Sequence, residues 1–138
     1  MNRRDFQILA RIRIREARTL LNAHNFEGAY YLAGYAVECG LKACISKKTK
    51  RFDFPDKNHA NKGYSHDLSQ LVEVAGLAAQ LRLQETASPQ FALNWTTVKD
   101  WREDKRYAPV ISPIMARELY TAITAKQHGV MRWIRSLW

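Results

Sequence analysis

From Phe26 to Ile45 the chain reads FEGAYYLAGYAVECGLKACI, twenty residues with no proline and no cluster of turn-forming residues. Such a run folds as one helix, and its spacing gives that helix two faces. Tyr30, Ala33, Val37, Leu41 and Cys44 recur at three- and four-residue steps and share one side. This row is ordinary core. Tyr31, Tyr35, Glu38 and Lys42 recur at the same steps on another side and form a polar-aromatic stripe. The Ala and Gly residues between the rows let another backbone come close.

The flanking segments read as further helices. A first helix is expected from an N-cap at about Asp5 to about Ala23. Phe6, Leu9, Ala10, Ile14, Ala17, Leu20 and Leu21 form its broad apolar stripe. Arg13 falls inside the stripe, where it either snorkels outward or pairs with a buried acid. Arg4, Arg11, Arg15 and Arg18 share the opposite face, and Arg11 to Arg18 spans roughly 10 Å along the axis. This ladder suits either solvent or a row of phosphates. Asn25 is placed to cap the second helix, which is expected to end near Ser46, ahead of Lys47, Lys48, Lys50 and Arg51. That basic group is read as a solvated loop or a phosphate contact. A loop carrying Pro55, Asn58, Asn61 and Gly63 then runs to about Ser65. It is long enough to be functional or mobile.

A third helix is expected from Ser65–Asp67 to about Ala79, with Leu68, Leu71, Val72 and Ala75 apolar. Ser88-Pro89 and Ser112-Pro113 each give a cap followed by a proline in the first turn. The fourth helix carries Phe91, Leu93, Trp95 and Val98 and fades near Trp101. The fifth runs to the end, with Met115, Leu119, Ala122, Val130, Trp133 and Leu137 on one stripe. No strand alternation stands out. The expected architecture is all-α: an antiparallel up-and-down bundle of four main helices plus one shorter helix, residues 1–138 forming a single domain. With exposed Trp138 at its end and apolar residues all round helix two, such a bundle suits dimerisation.

Composition narrows the partners. Lys and Arg number 22 against 13 Asp and Glu, a net charge of +9 that favours polyanions such as nucleic acid or nucleotides. No apolar run approaches the roughly 18 residues of a membrane-spanning helix, so no membrane partner is expected. The N-terminus is charged throughout and does not read as a secretory signal. Its Arg-rich amphipathic character is shared with mitochondrial transit peptides, but a structural first helix is expected. Cys39 and Cys44 point to different helix faces, so no mutual disulfide is expected and a reducing cytoplasm fits. His24, His59, His66 and His128 are scattered and show no metal-ligand spacing. No phosphate-binding Gly loop is present, and neither a metal nor a cofactor is expected.

Three segments, AGYAVECGLKA, SHDLSQL and KRYAP, occur in that order. Together they resemble HEPN-domain proteins, and the resemblance spans about Arg15 to Trp133. It implies a small helical bundle and a homodimer. It also implies partnership with a minimal nucleotidyltransferase in toxin–antitoxin or defence systems. Many members are metal-independent ribonucleases with an Arg, then four to six intervening residues, then a His near the start of the last long helix. Arg106 stands where that Arg would be, but Tyr107, Ala108, Pro109, Val110, Ile111, Ser112 and Pro113 follow it, and none is His. Arg18 and His24 have the right spacing in the wrong element. A binding role therefore leads: an RNA- or nucleotide-binding protein lacking the usual nuclease pair.

The candidate ligand residues are Tyr35, Glu38, Lys42, Arg106 and Tyr107. Glu38 and Lys42 are spaced for a helix ion pair, while burial would instead turn Glu38 toward Arg106 or Arg13. Arg106 with Tyr107 suits a carboxylate or phosphate beside a stacked ring. Tyr31 and Tyr35 fit an interface, the core or base stacking. A second reading is a metal-independent ribonuclease with relocated catalytic groups, Arg106 holding phosphate and His66 acting as base. His66 otherwise reads as a helix cap or packing contact. A third reading is a protein-interaction module using the tyrosine stripe and the C-terminal tryptophans.

Overall fold

The computed structural model describes residues 1–49, 61–102 and 110–138. Seven complete helices lie within them: α1 (Arg3–Asn22), α2 (Phe26–Lys48), α3 (Leu68–Val74), α4 (Ala78–Ala87), α5 (Pro89–Lys99), α6 (Pro113–Thr124) and α7 (Val130–Arg135). Residues 61–63 are also helical, and no strand occurs among the described residues. The protein is an all-α bundle, more finely divided than the expected four helices plus one.

The divisions have local causes. Between the SHDLSQL segment and Ser88 the chain forms two helices rather than one. Gly76 adopts φ 73, a conformation that suits glycine and ends α3. The following α4 buries none of its own residues, so no apolar stripe announced it. The last helix is also split. Ala125 leaves helical geometry at ψ 137, and Gly129 caps α7. A Cβ on Gly129 would lie 2.3 Å from the carbonyl oxygen of Ala125, which closes that turn to other residues. At the N-terminus Asn2, not Asp5, is the cap. Its Oδ1 accepts from the Asp5 amide at 2.9 Å and Asp5 Oδ2 accepts from the Asn2 amide at 3.0 Å, a reciprocal capping box. Asn25 occupies the cap position of α2 without a side-chain cap bond, and α2 runs two residues beyond Ser46.

Helix α2 is the centre of the bundle and packs against α1, α3, α6 and α7. Twelve of its residues between Ala29 and Cys44 are buried, including the whole expected core row. The small residues of α2 admit side chains rather than a second backbone. Gly34 faces the indole of Trp101, which is fully buried, and Gly40 faces Ile134 and Met131. Two expected apolar contacts are not made, since Leu93 and Met115 are exposed. Trp138, expected to be exposed, is instead half-buried, with the Arg11 guanidinium 5.1 Å from its ring centroid. Cys39 and Cys44 are buried free thiols. No helix among the described residues is long and apolar enough to cross a membrane.

Candidate functional site

The polar-aromatic stripe of α2 converges on one buried carboxylate. Glu38 is 1% exposed in the middle of the helix, and both its oxygens have partners. Oε1 lies 2.7 Å from Nδ1 of His66, and Oε2 accepts from Nζ of Lys42 at 3.3 Å. The ion pair expected from the i,i+4 spacing is therefore present, with His66 as a partner that spacing did not indicate. An ionised carboxylate only accepts hydrogen bonds, so Nδ1 of His66 carries the proton facing it. The contact fixes the orientation of the ring. The His66 side chain is 46% exposed.

His66 is not the helix cap. That role belongs to Asp67, whose Oδ1 accepts from the Gln70 amide at 3.2 Å, while Ser65 Oγ accepts from the Asp67 amide at 3.0 Å. Ser65 and Asp67 thus hold the backbone on either side of His66 while its ring reaches across to α2. The other oxygen of Asp67 lies 3.8 Å from Nη2 of Arg102. Arg102 also donates through Nη1 to the carbonyls of Lys99 and Trp101, tying it to the end of α5. Arg13 does not reach Glu38. It pairs with Glu16 at 2.5 Å, a half-exposed acid on its own helix, and lies over the Tyr35 ring at 5.7 Å. Tyr35 stacks on Tyr31 at 6.0 Å, and Tyr31 meets Trp101 at 6.2 Å. Both tyrosines are half-buried against the core.

Lys42 and His66 thus meet at Glu38, with Arg13 against Tyr35 of the stacked tyrosine pair and Arg102 against Asp67, next to His66 in the chain. Arg106 and Tyr107 lie outside the described residues. Trp101 and Arg102 are additions that the sequence reading missed, although Gly34, a small residue on a buried helix, carried a signal for Trp101. Trp101 Nε1 is the one buried side-chain polar atom without a hydrogen-bond partner among the described residues.

Burial and charge set the protonation of neighbouring groups. Burial and then Glu38 push the Cys39 thiol up to about 12, against the opposing pull of Lys42 and Arg13. It is therefore a protonated thiol and no nucleophile at neutral pH. Burial, then Cys39 and Glu38, also raise the Tyr35 hydroxyl above its ordinary value, so it stays a neutral donor. No group of three or more metal-ligating side chains occurs among the described residues. The arrangement has the means to bind an anion and stack a planar group, and an oriented imidazole to move a proton. No family model matches this chain, and no curated protein or solved structure matches it.

Proposed function

We propose that this chain is a HEPN-like RNA- or nucleotide-binding protein whose contact surface is the α2 stripe. In this reading it works beside a nucleotidyltransferase or within a toxin–antitoxin or defence pair in the cytoplasm. The observation that carries the reading is the stacked pair Tyr31 and Tyr35 beside Arg13, Lys42, His66 and Arg102, whose carboxylate partners Glu16, Glu38 and Asp67 a phosphate would share or displace. Cations beside aromatic faces suit a phosphate backbone with stacked bases. The net charge of +9 favours the same class of partner. Arg106 and Tyr107 complete the proposed contact set from the KRYAP segment. A homodimer is part of the proposal, supported by apolar side chains exposed around the start of α6 at Val110, Ile114 and Met115.

The Glu38–His66 pair favours a second reading, a metal-independent ribonuclease. A carboxylate fixed on Nδ1 is the arrangement that prepares an imidazole for acid–base work at Nε2. His66 would take the proton of a ribose 2′-hydroxyl as that oxygen bonds to the adjacent phosphorus. The bond from phosphorus to the 5′-oxygen would break, the leaving oxygen taking up a proton. Arg106 would hold the phosphate charge.

One experiment separates the readings. Labelled mixed RNA is incubated with the protein in chelator at low and moderate salt, with His66→Ala and Arg106→Ala alongside. Salt-sensitive binding without cleavage is the expected result. Cleavage lost in both variants would move the chain to the ribonuclease reading. Absence of both binding and cleavage at every salt concentration would overturn both.

A further inference from the structure

We propose that a second site, a cleft between α1 and α7, takes a phosphomonoester bearing a small apolar or aromatic group. The cleft has a volume of about 190 Å³. Three guanidiniums line it: Arg11 and Arg18 from α1 and Arg135 from α7. Ile14 and the buried Met131 provide apolar surface between them, and Trp138 contributes an aromatic wall. This site does not depend on the reading of Glu38 and His66, which do not line it.

Charge identifies the ligand class. No Asp or Glu is among the described residues lining the cleft, and none of its three arginines has an acidic partner among the described residues. Like charges repel and would scatter over the surface unless an anion rewarded their approach. Arg18 is already oriented, because its Nε donates to the Tyr120 hydroxyl at 2.8 Å. The guanidinium of Arg11 is held over the Trp138 ring. The main-chain oxygen of Trp138 accepts from Nη2 of Arg3, a residue outside the cleft lining. A phosphomonoester dianion matches several planar guanidiniums better than a single carboxylate does. The volume is below the roughly 300 Å³ at which pockets for drug-sized ligands begin, so the group carried by the phosphate is small. Both a free phosphomonoester and the terminal phosphate of an oligonucleotide present this chemistry.

Phenyl phosphate is the probe, titrated into the protein while the indole N–H signal of Trp138 is followed by NMR. A saturable shift is expected, with phenol giving none. Arg11→Gln combined with Arg135→Gln should weaken binding by about tenfold or more, since each lost charge-assisted hydrogen bond is worth that much. These are exposed side chains, and an unchanged melting temperature would show that the fold is intact. Arg82→Gln on α4 and His66→Ala should leave the affinity unchanged, so failure at the α2 surface and failure here are told apart. Displacement by a 5′-phosphorylated but not a 5′-hydroxyl oligonucleotide would assign the site to nucleic-acid ends. Displacement by small phosphomonoesters alone would assign it to a free ligand. No saturable shift, or an equal loss with Arg82→Gln, would overturn the proposal.

Discussion

Oε1 of Glu38 and Nδ1 of His66 lie 2.7 Å apart, joining the centre of α2 to the residue that precedes the cap of α3. The two partners differ sharply in burial, Glu38 at 2% side-chain exposure and His66 at 46%. This asymmetry decides what each removal does. Glu38→Ala leaves Lys42, 14% exposed, without its carboxylate. Breaking a buried pair from one side costs about 3–5 kcal/mol, and partial exposure of the cations puts Glu38→Ala at the lower end. His66→Ala leaves Lys42 in place and opens Glu38 toward water, at a cost of about 1–2 kcal/mol. Urea denaturation should rank the variants in that order. Equal midpoints for the two would show that Glu38 is not the anchor.

Gly34 and Trp101 give a second, purely steric prediction. A Cβ at Gly34 would lie 2.2 Å from Cε2 and 2.3 Å from Nε1 of the indole. Trp101 is fully buried and has nowhere to go, so Gly34→Ala overpacks the site at a cost of about 3 kcal/mol. The gain in helix propensity, about 1 kcal/mol, does not offset this. Gly63→Ala, whose Cβ would meet nothing within 4 Å, should be neutral or slightly stabilising. In a Trp101→Leu background the Gly34→Ala penalty should shrink, because the two residues share one space. An undiminished penalty in the double variant would show that the cost arises elsewhere.

The buried thiols predict an alkaline weakness. Burial raises Cys39 from 9.0 to about 12 and Cys44 to about 11. Unfolding exposes both to water, where they ionise near their ordinary value. Above about pH 9 the unfolded chain therefore binds fewer protons than the folded one, and stability falls as pH rises. The loss should begin near pH 9 and continue to about pH 12, with the raised hydroxyls of Tyr30 and Tyr35 acting in the same direction. Melting temperatures of Cys39→Ala with Cys44→Ala should decline less steeply across that range. Native protein at neutral pH should react with a thiol reagent only as fast as it opens.

The core row of α2 and the proline-led starts of α5 and α6 were legible in the sequence because local rules decide them. Periodicity sets a buried face, and Ser-Pro sets a first turn. The break at Gly76 and the helix α4 were not legible, since α4 has no fully buried residue and only Leu81 packs partly against the core, too little for a stripe. Glu38 with Lys42 followed from spacing, but His66 is 28 residues away from Glu38, and only the packing of α3 on α2 brings them together. The same holds for Arg135, which the turn at 125–129 brings to the cleft that Arg11 and Arg18 also line. Long-range pairs of polar residues carry no periodic signature, so a sequence shows the partners without the pairing.

The proposed RNA contact has a quantitative salt signature. Each phosphate neutralised on a single strand contributes about −0.7 to the slope of log affinity against log salt. Three or four contacts from the α2 surface and the KRYAP segment would give a slope of about −2 to −3. Arg106→Gln should lower affinity at low salt and make the slope shallower by about 0.7, because one released counterion is lost. Tyr35→Leu should lower affinity without changing the slope, since stacking releases no counterions, while its apolar body keeps α2 packed. A fluorescent single-stranded RNA titrated at four salt concentrations measures both. A slope untouched by Arg106→Gln would remove that residue from the contact, and a slope near zero in the wild-type protein would remove nucleic acid as the partner.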